Sequence, residues 1–326
     1  MALKLLLAGI IIYVLISKAG VQKEHFTDLS PVWLAAAFLV ILLQHVLTGV
    51  RWWLLLRAIK LKTTFPEAVS LTLQGLFYTL FIPGGSVSGD VVKAALISSR
   101  AGEGKRFDAV FSILIDRVCG LCGLLILSLL ASVTAMFCVP DKSSWFMHLL
   151  VAIMIAAPLG LLLALMAFRC DAVLKIKFFR SCFDFCDRLS KGAFSRIEKA
   201  MEAYRPVWKS VLNCVLLSGF AAFPLFALGT FLIGIACLHG NTEYMLNNAV
   251  GSLLSGSIGE LAATLPLTPG GLGVRDAVYC EILKACAMPQ QIAVLIPVVF
   301  SAIYVAASAV GAFFALHTIL IARRGK

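Results

Sequence analysis

Charge is what this sequence has least of. Asp, Glu, Lys and Arg make up only 14% of its 326 residues, against 60% apolar residues, and the mean hydropathy is +0.96. Soluble domains carry about a quarter charged residues, so the deficit excludes reading the length as two soluble domains. Also missing are the alternating segments of about ten residues that build a transmembrane barrel. No HExxH, P-loop, Ser-His-Asp context or deaminase signature occurs, and nothing points to catalysis. The five histidines (His25, His45, His148, His239 and His317) form no spaced ligand set. The ten cysteines are scattered, and the CxxC of Cys119 and Cys122 lies inside the apolar run "VCGLCGLLILSLLA" without a second pair. Packing rather than a metal or redox centre is expected there, and no cofactor. Acidic residues are scarcest: 17 against 28 Lys and Arg, a net charge of +11. The basic excess is confined to the links between apolar runs, which favours a positive-inside bias and excludes nucleic acid as a partner.

What is present is long apolar segments. Six of them, at 3–19, 32–52, 107–137, 146–168, 210–238 and 290–321, are sized to cross about 30 Å of hydrocarbon. No small-x-small cleavage site precedes "KEHFTDLSP", so residues 4–19 are expected to be the first span rather than a leader. Two further stretches, 66–99 and 246–288, are each broken by Pro-Gly-Gly. Arg51, Arg57, Lys60, Lys62, Lys93, Arg100, Lys105 and Arg106, the link 169–209 and the terminal "ARRGK" set the cytoplasmic side. The links 138–145 and 239–245 fall outside. Both ends of 66–99 are then cytoplasmic and both ends of 246–288 external, so each must enter the membrane and return. The link 169–209, with Phe178, Phe179, Phe183, Phe185 and Leu189 among its basic residues, is expected to lie along the cytoplasmic interface as amphipathic helix.

The two breaks resemble one another. "PGGSVSGD" (83–90) and "PGGLGVRD" (269–276) share Pro, Gly, Gly and Asp at the same spacing, and the offset sets Gln74 opposite Glu260. The expected fold is therefore an all-α polytopic membrane protein. About six full spans and two re-entrant broken-helix hairpins form a single integral membrane domain, 1–326, of two inverted-topology repeats, 1–137 and 146–326.

The breaks also carry the candidate site. Pro83, Gly84, Gly85 and Gly89, with Pro269, Gly270 and Gly271, let the backbone turn and approach a ligand. Helices restarting there would aim N–H groups at a phosphate or carboxylate; the plain alternative is a compact hairpin. Asp90 and Asp276 sit in the first turn after each break as caps or as pathway carboxylates. Lys93, Arg117 and Arg275 are their candidate partners, with Arg275 also suited to an anionic headgroup. Glu260 could neutralise, bind a cationic headgroup, carry a coupling proton, or simply be satisfied by a neighbouring helix. Asp116 and Arg117 point in different helical directions and serve different partners, and Arg51 with Trp52 and Trp53 reads as an interfacial anchor.

"GVRWWLLLRAIKL" (49–61), "FIPGGSVSGDVVKAAL" (81–96), "ILIDRVCGL" (113–121) and "LPLTPGGLGVRDAVY" (265–279) together resemble the membrane domain of lysylphosphatidylglycerol synthase/flippase proteins, including stand-alone relatives without the synthase. The resemblance implies translocation of a polar-headed lipid between leaflets of a bacterial-type inner (plasma) membrane, with both termini cytoplasmic. The membrane lipid is then the partner, and there is room for a separate synthase or glycosyltransferase. Two other classes stay open: the membrane component of an aminoacyl-phospholipid synthase, and a small-solute or ion transporter on the same architecture. No residue pattern sets an oligomeric state.

Overall fold

The computed structural model describes residues 2–82, 86–102, 105–139, 144–169, 201–202, 204–265 and 267–324, with isolated positions at 180, 187–188 and 198. Among them are helices and no strand. In chain order they are α1 (Ala2–Ala19), α2 (Lys23–Thr27), α3 (Pro31–Ala58), α4 (Phe65–Phe81), α5 (Ser86–Arg100), α6 (Arg106–Cys138) and α7 (Ser144–Phe168). Then follow α8 (Trp208–Leu217), a π turn (Ser218–Ala222), α9 (Phe223–Leu238), α10 (Met245–Ala263), a 3₁₀ turn (Pro269–Gly271), α11 (Val274–Ala285) and α12 (Gln290–Arg324). Most of the link 169–209 lies outside the described residues, as do Pro83, Gly84 and Gly85.

Local chemistry sets these boundaries. Pro31 opens α3, where its missing N–H costs nothing. Lys60 closes it in the left-handed region (φ 57°), with Leu61 N–H donating to the Leu56 carbonyl, a Schellman ending. The residue before a proline is pushed to extended backbone, and Ile82, at φ −101° and ψ 140°, ends α4 just ahead of Pro83. Gly270, Gly271 and Gly273 all take positive φ, between 58° and 80°, before α11 restarts. Pro224 cannot donate to a preceding carbonyl, and the helix meets it with the π turn Ser218–Ala222 between α8 and α9.

Five helical stretches are long and apolar enough to cross a membrane: Pro31–Ala58, Arg106–Cys138, Trp145–Phe168, Trp208–Leu238 and Gln290–His317. Of the six expected, the first is a shorter apolar helix within α1. Exposed Ile155, Leu159, Leu162 and Leu163 on α7 form the kind of surface that lipid covers.

The packing order positions the site. α3 lies against α9. α4 pairs with α5 and leans on α12, while α10 pairs with α11 and leans on α6. α5 packs on α6, α11 on α12, and α1 covers both α11 and α12. Where apolar lipid gives helices no hydrophobic reason to associate, small residues allow close approach. A Cβ on Gly89 would lie 2.2 Å from the Gly75 carbonyl oxygen and 2.4 Å from Thr79 Oγ1. One on Gly123 would lie 2.3 Å from Ser218 Cβ.

Two expectations need correction here. Arg51 and Trp52 are not an interfacial anchor: α3 continues to Ala58 and encloses both. Asp90 does not cap a helix, because α5 starts at Ser86 and places Asp90 beyond its first turn.

Gly89→Ala is expected to spread the α4–α5 crossing and to destabilise by about 1–3 kcal/mol, the usual cost of overpacking. Gly102→Ala meets nothing within 4 Å and should be silent. Thermal melting of the two purified variants in detergent checks this, and equal melting temperatures would contradict the crossing.

Candidate functional site

Between α3, α4, α5, α6, α9, α10 and α12 lies a cavity of about 220 Å³, and its wall is far more charged than the chain as a whole. Each of those charges sits on a helix that also carries lipid-facing apolar residues. Ionisable groups in such positions are expensive and must find partners within the protein.

The deepest pair is Arg51–Asp116. Arg51 Nε donates to Asp116 Oδ1 at 2.7 Å and Nη2 to Oδ2 at 3.0 Å, a two-pronged contact between α3 and α6. Its third nitrogen, Nη1, donates to Ser218 Oγ at 2.9 Å, and the Ser218 hydroxyl donates in turn to the Cys214 carbonyl. The π turn thus brings a hydroxyl to the guanidinium. Gly120 makes room for it, since a Cβ there would be 3.0 Å from Arg51 Nη1. Asp116 and Arg117 do serve different partners.

Asp90 is held by Arg117, from Nε at 2.7 Å and Nη2 at 2.9 Å, across the α5–α6 seam. Lys93, one turn further along α5, is 6% exposed. Its ammonium lies 4.0 Å from the centroid of the Trp52 ring, a cation–π contact, and makes no hydrogen bond or ion pair among the described residues. Trp52 is fixed in turn by its Nε1–H donating to Ser112 Oγ at 3.0 Å. The stem of Lys93 passes Gly75, where a Cβ would be 3.1 Å from Cδ.

The second hairpin is built differently. Asp276 lies in the first turn of α11 and accepts the Gly273 N–H at 2.9 Å and the Ser301 hydroxyl at 2.7 Å. Arg275 has no exposed surface. It donates to Glu260 at 3.3 Å and to Ser301 at 3.0 Å, and its guanidinium carbon stands 4.7 Å from the ring centroids of both Phe300 and Tyr304. Glu260 also accepts from the Tyr279 hydroxyl at 3.4 Å. Arg275 therefore serves two carboxylates, while Lys93 serves none.

Of the sequence-derived candidates, Asp90, Lys93, Arg117, Glu260 and Gly270 line the cavity together. Arg275 and Asp276 stand behind its wall, and Pro269 and Gly271 are buried in the 3₁₀ turn. Gly89 packs against α4. Residues not singled out as site candidates also line it: Arg51 and Asp116, and the polar pair Gln44 and His45 on α3. Gln44 and His45 hydrogen-bond side chain to side chain, and the imidazole is wedged edge-on between Phe226 and Tyr304. The available signal was an arginine and a Gln-His pair inside one apolar run. Among the described residues no group of His, Cys, Asp and Glu is arranged to hold a metal ion.

The model of the family described as "Lysylphosphatidylglycerol synthase TM region" matches residues 1–311. No curated protein and no solved structure matches the chain.

Asp116→Ala would leave Arg51 buried and unpaired, at a cost of about 3–5 kcal/mol. The double variant Arg51→Met/Asp116→Leu should recover most of that loss. Thermal unfolding of both in detergent decides the point, and purely additive losses would show that the two side chains are not coupled.

Proposed function

This chain belongs to the lysylphosphatidylglycerol synthase transmembrane-region family, and from that membership we propose that it moves a polar-headed, phosphate-containing lipid between the leaflets of a bilayer. The observation that carries this reading is Lys93, an enclosed ammonium on the wall of a charged cavity that has no ion-pair or hydrogen-bond partner among the described residues. A phosphate oxygen supplies what it lacks. Every other cation of the cluster is already held by an acid, so an anion entering the cavity meets one uncommitted donor rather than a general field. The cavity would let the headgroup exchange water for fixed protein dipoles, while the acyl chains stay in lipid.

In this proposal the two hairpins are re-entrant, the chain is two inverted-topology repeats, and one rocks against the other around the cavity. Reciprocal packing supports it. The first limb of each hairpin leans on the long last helix of the other half, α4 on α12 and α10 on α6. In each half the second limb packs on its own long helix. The basic residues Arg57, Lys60, Lys62, Lys105 and Arg106 between spans support a cytoplasmic location for both termini in a bacterial-type inner membrane, whereas Arg51 and Lys93 belong to the cavity and carry no such argument. In this reading the described chain acts as a carrier rather than as an enzyme, with room for a synthase or glycosyltransferase partner that makes the lipid.

Purified protein in liposomes with fluorescent lipids of phosphate-containing and phosphate-free headgroups tests the reading. Phosphate-headed lipids should move faster. Lys93→Ala should slow them at least about tenfold, equivalent to about 1.4 kcal/mol in the barrier, with unchanged melting. Asp90→Ala and Glu260→Ala should also slow transport. Movement independent of headgroup, or unaffected by Lys93→Ala, would contradict the proposal. Aminoacyl transfer from charged tRNA by the purified chain would instead favour the synthase component, and headgroup-blind solute uptake the small-solute transporter.

A further inference from the structure

The Asp90–Arg117 pair has a second surface. Arg117 lies about 16 Å along α6 from its start, inside a helical stretch apolar enough to cross a membrane, yet its side chain is 52% exposed and that of Asp90 is 24% exposed. On α6 the neighbouring exposed residues are Val110, Leu114, Val118 and Leu121, spaced so that Arg117 falls within one continuous apolar stripe. On α5 the exposed Val87 and Val91 flank Asp90 in the same way. An ion pair framed by lipid-facing apolar side chains therefore closes the seam between α5 and α6 on the outside. Asp90 and Arg117 line the charged cavity on the inside. They are the wall between cavity and lipid.

The seam between α11 and α12, where Asp276 lies, differs on each count. α1 packs over both helices, and Asp276 and Arg275 have no exposed surface. A pair needed only to join two helices could be enclosed, as Arg51–Asp116 is between α3 and α6. Leaving a charged pair open to hydrocarbon costs free energy, and at Asp90–Arg117 the open side leads to a cavity that holds an uncommitted ammonium.

We infer that the seam between α5 and α6 is a lateral gate, and that a phospholipid headgroup enters the cavity there by displacing Asp90 from Arg117. The guanidinium fork that holds the carboxylate presents the same two-pronged geometry to a phosphate, so the exchange trades one charge-assisted contact for another. Lys93 lies one turn further along α5 to receive the phosphate inside. The acyl chains rest on the stripe of Leu114, Val118 and Leu121 on one side and Val87 and Val91 on the other. The gate deepens the lipid-carrier reading and takes its cargo from it, but the open seam stands on the exposure and the cavity alone.

The experiment uses the full chain in vesicles of phosphatidylglycerol and phosphatidylethanolamine, containing a phospholipid with a diazirine on its headgroup. After illumination the labelled peptides are mapped by mass spectrometry. The gate predicts headgroup labelling at positions 87–91 in the first turns of α5 and at 114–121 of α6, several-fold above the equally lipid-facing Ile155, Leu159 and Leu162 of α7. Labelling absent from both 87–91 and 114–121, or equal on α7, overturns it. Lipid movement measured in the same vesicles separates the two ideas. Headgroup labelling at the seam without net movement keeps the gate and sinks the carrier. Movement without labelling at the seam keeps the carrier and sinks the gate.

Discussion

The Arg51–Asp116 ion pair is the contact on which the interior depends. It ties α3 to α6, and through Ser218 it reaches the π turn between α8 and α9, so three separate parts of the chain meet at one guanidinium. A lone arginine at that depth would cost several kcal/mol, and a lone aspartate as much. Their mutual satisfaction is what allows polar side chains to line a space between helices that are otherwise apolar. Gly120 and Gly123 follow from it: the guanidinium and the serine need the room that a Cβ would fill.

Around that pair the charges are distributed unevenly, and the unevenness is the chemically informative part. Asp90 has Arg117, and Arg275 is shared by Glu260 and Asp276 between two aromatic rings. Among the described residues Lys93 alone of the four cations makes no ion-pair contact and rests on the face of a tryptophan. A cluster built purely for stability would pair its cations with its acids more evenly. The cavity instead keeps a donor in reserve, and under the proposed gate the exposed seam at Asp90–Arg117 would give lipid a way toward it.

Much of this was legible in the residues. The scarcity of charge and the long apolar runs gave a multi-pass helical membrane protein, and four motifs in order gave its family, which the match over 1–311 bears out. Asp90, Lys93, Arg117 and Glu260 stood out because charge inside an apolar run is costly. Other features were hidden for physical reasons. Arg51 stands beside two tryptophans, a pattern equally suited to an interface, and its partner is 65 residues away in sequence. Ser218 becomes a ligand only because the helix widens ahead of Pro224. Asp90 and Asp276 occupy matching motif positions yet have different partners, since α5 starts at Ser86 and leaves Asp90 beyond its first turn, whereas α11 starts at Val274 and keeps Asp276 within it.

The central claim is that the cavity holds a lipid headgroup by its phosphate. The most direct measurement is an electron cryomicroscopy structure of the chain in nanodiscs of bacterial phospholipids, at a resolution that shows headgroups. The account predicts headgroup density in the cavity with a phosphate oxygen within about 3 Å of Lys93 Nζ, hydrogen-bond distance for a charged donor, and acyl chains leaving between α5 and α6. A cavity holding only water, with Lys93 turned to a protein carboxylate, would contradict it.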